Sequence, residues 1–389
     1  RRSSDLTGHR VAILVDEYDK PMLQAIGNEE LQKEYRNTLK PFYGVLKTMD
    51  GYIKLGFLTG VTKFGKVSVF SDLNNLKDIS MRRDYIDICG ITDKELHRYF
   101  DKDLHTLADV QGLDYETVCL EVQKRYDGYH FNFNTPGIYN PFSLLNTFDA
   151  MAFGSYWFAT GTPSYLVYLL KKHHYRLEEI EKVEVTEDVL DSIDSEGTNP
   201  IPVIYQSGYL TIKDYDPEFG LYMLDYPNRE VEEGFVKYLM PFYIDKSEAE
   251  APFEIRRFVG EVRNGNIDGF FHRLQSFFAD APYEVIVGQD PVRNVELFFQ
   301  NVLFIVFRLA GFYTQVEYHT SRGRIDLVLK TDKFIYVMEF KQGATAEEAL
   351  AQINEKGYAD AFASDSRTLY KIGVSFSDEQ RNIERWLVE

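Results

Sequence analysis

The strongest constraint on the fold of this chain is the segment RIDLVLKTDKFIYVMEFK, residues 324–341. It holds two apolar runs, each carrying charge where a strand would carry Val or Ile. Lys330-Thr331-Asp332-Lys333, a polar stretch of hairpin length, separates them. Side chains alternate along a strand with period two, so Glu339 and Lys341 share one face and Phe340 takes the other. Closing the runs as a hairpin brings Asp326 near them. Two carboxylates and an ammonium on one sheet face are a donor set for a divalent cation, with a group able to orient water. The competing reading is a solvated strand end with ordinary surface charge.

The flanking pattern extends this. ELFFQNVLFIVFRLA (296–310) is of helix length and Gly311 punctuates it. Residues 313–320 read as a strand, 346–362 as a helix and 369–376 as a closing apolar strand. Asp, spacer, Glu-x-Lys within a helix, three strands, helix, strand order resembles the PD-(D/E)xK nuclease superfamily. The resemblance implies Asp326, Glu339 and the Phe340 carbonyl as metal ligands, Lys341 as the residue that orients or polarises water, and Glu296 and Gln352 as accessory positions. It implies Mg²⁺ or Mn²⁺ as cofactor and a nucleic acid as substrate, DNA ahead of RNA.

Composition argues partly against this. The net charge is −18, and polyanion binding depends on Lys and Arg neutralising phosphates. The acidity is uneven: residues 285–389 hold 12 basic and 15 acidic groups, so the remainder carries most of the excess. Tight nonspecific DNA binding by the chain alone is therefore not expected. Protein partners or a homo-oligomer suit such a surface better. The two cysteines, Cys89 and Cys119, have no motif spacing, which excludes a disulfide framework and points to the cytoplasm. No apolar run reaches bilayer length, so no membrane association is expected.

At the other end, VAILV (11–15) followed by Asp16-Glu17 reads as a buried parallel strand ending in two carboxylates, the shape of a Walker B element. VAILVDEYDKPML resembles the predicted AAA-ATPase-like domain found fused to this nuclease fold in bacterial proteins. FLTGVTKFGKVSVFSDLNNLKDIS (57–80), YDGYHF (126–131), YNPFSLLN (139–146) and YWFATGTPSYL (156–166) resemble it too. Thr59 falls at its sensor-type position. Ten residues before the strand leave no room for a Walker A loop. GVTKFGK (60–66) matches G-x-x-x-x-G-K, but Val67 stands where Mg²⁺ needs Ser or Thr, and VSVF continues as a strand. ATP hydrolysis by this chain is not expected; ATP enters only with a Walker A loop upstream.

The pattern over 201–243 is short helix, strand, turn, strand, helix, a winged-helix-like arrangement whose acidic hairpin favours protein contact. The expected architecture is α/β in three parts. A truncated AAA-like region covers 1–165, a helical or winged-helix-like connector 166–280, and a restriction-endonuclease-like domain 281–389. The alternative to a metal-dependent nuclease is a catalytically silent scaffold that keeps both folds.

Overall fold

The computed structural model describes residues 8–25, 28–61, 76–160, 164–191, 199–243, 250–279, 291–311, 315–321, 324–377 and 379–389. That description does not extend to the side chains of 159–160, 164–165, 168, 171, 191, 251, 291–296, 317–321 or 324–326. Two units emerge, Arg1–His173 with Ile180–Glu232 and His174–Glu179 with Glu233–Glu389.

In the first unit, β1 (Val11–Val15) runs parallel to β2 (Ile53–Leu58), with Val15 opposite Leu58. The crossover between them holds α1 (Lys20–Gln24) and α2 (Glu29–Thr48). The Asn28 side chain caps α2 by accepting the Leu31 amide at 3.0 Å, and Glu29 and Glu30 complement the helix dipole. Met22 and Tyr43 pack with Val15, Leu39 and Leu58 on one sheet face. On the strands, Leu14 is 72% exposed and Leu55 53%. The expectation of a buried strand is therefore corrected to a half-covered one. Among the described residues, this two-stranded sheet has helices on one side and no element over its second face.

A helical layer follows: α3 (Asp93–Tyr99), α4 (Asp101–Gln111), α5 (Tyr115–Tyr126) and α6 (Pro141–Ala150). Each of three starts is specified by a side chain: a Thr92–Glu95 capping box, Asp114, and Asn140 before Pro141. Leu104, Leu107, Val118, Val122 and Leu144 form the core between them. After α7 (Ser164–Lys172), β3 (Val183–Thr186), α8 (Glu187–Asp191) and α9 (Ile201–Gln206) comes the antiparallel hairpin of β4 (Thr211–Asp216) and β5 (Leu221–Asp225). β3 adds to the β5 side of that hairpin, a strand the sequence pattern did not announce. Helix α10 (Arg229–Tyr243) contributes its first residues to the first unit and the rest to the second.

The second unit is built on a five-stranded sheet of order β10-β9-β8-β7-β6. It is preceded by α11 (Ala251–Asn264), α12 (Ile267–Ala279) and α13 (Pro291–Gly311). β6 (Gln315–Ser321), β7 (Arg324–Lys330) and β8 (Phe334–Gln342) form an antiparallel meander. Then α14 (Ala346–Lys356) crosses over to β9 (Thr368–Ser377), which pairs parallel to β8, and β10 (Asn382–Val388) returns antiparallel. The expected helix over 346–362 stops at Lys356, because Gly357 takes the left-handed conformation (φ 65°) that closes a helix. β10 was not expected; its central Glu384-Arg385 breaks the apolar pattern.

The alternation of β8 sorts the layers. Ile335 and Val337 meet Ile353 of α14. On the other face, the Tyr336 hydroxyl donates to the Val262 carbonyl of α11 at 2.6 Å. The Phe340 ring lies 6.4 Å from Phe271 of α12 and 6.2 Å from Phe307 of α13. Phe299 stacks on Phe376 at 4.2 Å. The sheet is thus enclosed by α14 on one side and α11–α13 on the other. No described helix is long and apolar enough to cross a membrane.

Candidate metal centre

The turn that positions the site is set by Thr331. Its amide donates to the Phe334 carbonyl at 2.8 Å, and its Oγ1 accepts the Phe334 amide at 2.9 Å. With the turn closed there, counting back along both strands makes Asp326 the direct cross-strand partner of Glu339. Direct partners occupy one face, with Cβ atoms about 4.5–5.5 Å apart. The next rung on that face pairs Arg324 with Lys341. An acidic rung is therefore followed by a basic one.

Glu339 is 0% exposed. Gln352, from the second turn of α14, donates its Nε2 to Glu339 Oε1 at 2.6 Å. Such a bond removes one rotational freedom from the carboxylate and partly offsets its desolvation. The helix comes this close because β9 carries Gly373 beside Glu339 in the register. A Cβ at Gly373 would lie 2.2 Å from the Ala346 carbonyl oxygen and 2.4 Å from the Leu350 amide. Thr345 and Glu348 fix the start of α14 through a capping box. Lys341 sits half-buried near the end of β8.

The Phe340 side chain belongs to the opposite core, so only its carbonyl could serve a ligand. Glu296 lies on α13, the helix whose Phe307 packs against Phe340, hence beneath the face opposite to Glu339. The side chains of Glu296 and Asp326 lie outside the described residues. Among residues whose side chains are described, no group of three or more His, Cys, Asp or Glu is placed to hold a metal. The donor chemistry at the acidic rung nonetheless fits Mg²⁺ or Mn²⁺: a buried, hydrogen-bonded carboxylate with a second acid at the directly facing position.

In the first unit, the Thr59 hydroxyl donates to Asp16 Oδ1, which also accepts the Glu17 amide at 3.0 Å. The sensor-type and Walker B-like positions are thus in contact. Thr59 reaches Asp16 because the β1–β2 register carries on past the strands, the Thr59 amide donating to the Val15 carbonyl at 2.8 Å. Glu17 takes a positive φ of 51° and pairs with Lys20 at 2.6 Å, which holds the Lys20 ammonium above its usual range. Asp19, unremarked in the sequence, is buried and accepts the Val61 amide at 3.2 Å. Burial and the Asp19 charge push the Tyr18 phenol well above the ordinary tyrosine range. The rest of the G-x-x-x-x-G-K match lies outside the described residues.

Comparison with known proteins accords with both halves. The profile of the PD-(D/E)XK nuclease superfamily matches residues 294–386, and that of a predicted AAA-ATPase matches residues 1–70. An uncharacterized protein in the vnfD 5′ region of Azotobacter chroococcum mcd 1 is 33% identical over 398 aligned residues, spanning 100% of this chain and 73% of that protein. The chain belongs to this AAA-ATPase-like, PD-(D/E)XK family. No solved structure matches it.

Within this nuclease-superfamily domain, sequence reasoning passed over Arg324, Gly373 and a third position, His319. His319 is the β6 partner of Asp326. Arg324 follows from the β7–β8 hairpin by counting back from the turn, whereas Gly373 and His319 depend on which strands lie beside that hairpin, which the spacing does not give.

Proposed function

We propose that this protein is a Mg²⁺- or Mn²⁺-dependent nuclease that hydrolyses phosphodiester bonds, DNA ahead of RNA. The observation that carries this reading is the pairing of Asp326 with Glu339 beside Arg324 and Lys341. Bound at the acidic rung, the cation would polarise the phosphate and make water a nucleophile near neutral pH. Asp326, Glu339 and the Phe340 carbonyl would hold it. Lys341 orients the attacking water and, with Arg324, offsets phosphate charge. Gln352 acts through Glu339, as a positioning residue. Glu296 is assigned an accessory acidic role.

The first unit is read as a degenerate AAA-like module. Asp16, Glu17 and Thr59 make up its Walker B-like and sensor-like set, and ATP is engaged only with an upstream phosphate-binding loop. The α9–β4–β5–α10 segment is read as a winged-helix-like connector whose acidic hairpin suits protein contact, within a cytoplasmic protein able to form homo-oligomers.

The test is calorimetric titration of Mn²⁺ with cleavage assays on single- and double-stranded DNA and RNA. Asp326→Ala and Glu339→Ala are expected to abolish both metal binding and cleavage. Lys341→Met should abolish cleavage while leaving metal binding intact. Absence of metal binding in the wild type would favour the scaffold reading, which the net charge of −18 supports.

A further inference from the structure

The basic rung runs on past Lys341. Lys341 pairs with Ser375 of β9, and Ser375 in turn with Arg385 of β10. Direct partners share a face, here the one that α14 covers. We infer that Arg385 is a second backbone contact, one that binds a phosphate flanking the one attacked at the acidic rung. This rests on the nuclease reading above.

Side-chain contacts fix the placement of Arg385. Its Nη1 lies 2.7 Å from Glu347 Oε1 in the first turn of α14, so the guanidinium is on the α14 face. The next residue, Trp386, turns to the opposite face. Its ring stacks on Phe271 of α12 at 5.1 Å and its Nε1 donates to Asp268 Oδ1 at 2.9 Å. A β-bulge between Ile383 and Arg385 produces this arrangement. Ile383 pairs with Phe376, so without the extra residue Glu384 would stand opposite Ser375. The bulge therefore brings an arginine, in place of an acid, onto the rung of Lys341.

Spacing and chemistry decide what Arg385 can hold. Lys341 and Arg385 are two strands apart, about 9.6 Å. The first turn of α14 lies over Gly373 of the intervening strand, and Ser375 is buried. The two cations thus stand on either side of the helix start, a separation for two phosphates of one backbone rather than a single shared group. Arg385 and Glu347 are 59% and 53% exposed, and an ion pair so open to water contributes little to stability. A phosphate can therefore replace Glu347, and the planar guanidinium fork matches its oxygens in pairs. With Glu347 still nearby, Arg385 brings little net charge, so its contact adds little to the salt dependence of binding.

The test compares Mn²⁺-supported cleavage, by the full chain, of a DNA oligonucleotide and of bis(p-nitrophenyl) phosphate, which has no second phosphate. Arg385→Gln should lower kcat/KM for the oligonucleotide by about tenfold more than for the small diester, with KM carrying the loss. Arg385→Lys, which keeps the charge without the fork, should recover part of it. Glu347→Gln removes the competing anion and should lower KM for the oligonucleotide by about threefold, an effect absent when it is combined with Arg385→Gln. Equal losses on both substrates, or Glu347→Gln acting unchanged beside Arg385→Gln, overturn the inference and leave the nuclease reading standing. Wild-type protein that cleaves neither substrate removes that reading and this inference with it.

Discussion

A buried carboxylate is costly unless it is held, and Glu339 is held by Gln352 across 2.6 Å. Gln352→Ala should therefore act on the site without unfolding the domain. Loss of such an outer partner weakens metal affinity or activity by about 10–100-fold. Calorimetric titration of Mn²⁺ beside cleavage rates would show both falling together; an unchanged affinity would mean Glu339 does not depend on this bond. A second buried acid, Glu230, is 3% exposed and lies in the first unit, its Oε1 accepting the Trp157 amide at 3.0 Å. Burial raises its pKa above the ordinary 4.5. The folded state then binds the proton more tightly than the unfolded chain, so stability is fully present below pH 4.5 and falls as pH rises through the folded value. Glu230→Gln keeps an acceptor for Trp157 and removes that loss. Melting curves of the two proteins should converge near pH 4.5 and separate toward neutrality in favour of the variant. A wild type that stays equally stable relative to the variant across that window would contradict the linkage.

At the scale of elements, the approach of α14 to the sheet depends on Gly373. Gly373→Ala places a methyl against backbone atoms at 2.2 and 2.4 Å, which a side-chain rotation cannot relieve. The helix must shift, at a cost of about 1–3 kcal/mol, and Gln352 shifts with it. Chemical denaturation followed by a probe in the second unit should show the destabilisation, and Mn²⁺ affinity should drop as it does for Gln352→Ala. The same elements show what was readable in advance. The β7–β8 hairpin was legible because a polar loop of fixed length between apolar runs leaves one natural register. The Asp326–Glu339 pairing follows from that register alone. Gly373 was not legible, since its importance depends on which strand and helix lie beside it. β1 was legible as a parallel strand, but its exposed Leu14 shows that apolar content does not reveal whether a sheet has one covered face or two.

At the scale of the whole molecule, the charge distribution decides how a nucleic acid could be engaged. The chain carries −18, and within 285–389 the 12 basic groups are outnumbered by 15 acidic ones. A protein that grips DNA by a broad basic face releases many counterions, and its affinity falls steeply with salt, with a slope of about −0.9 for each phosphate neutralised. Here the cations placed by the register at the candidate site are Arg324 and Lys341. If these carry the phosphate contact, the logarithm of affinity for duplex DNA should fall with the logarithm of salt concentration with a slope of only about −2. Fluorescence anisotropy between about 50 and 200 mM salt, with Ca²⁺ in place of the activating ion to prevent cleavage, measures that slope. Arg324→Gln with Lys341→Gln should flatten it toward zero. A slope of about −6 would require a basic surface outside the nuclease-like sheet and would move substrate recognition away from the Asp326–Glu339 rung.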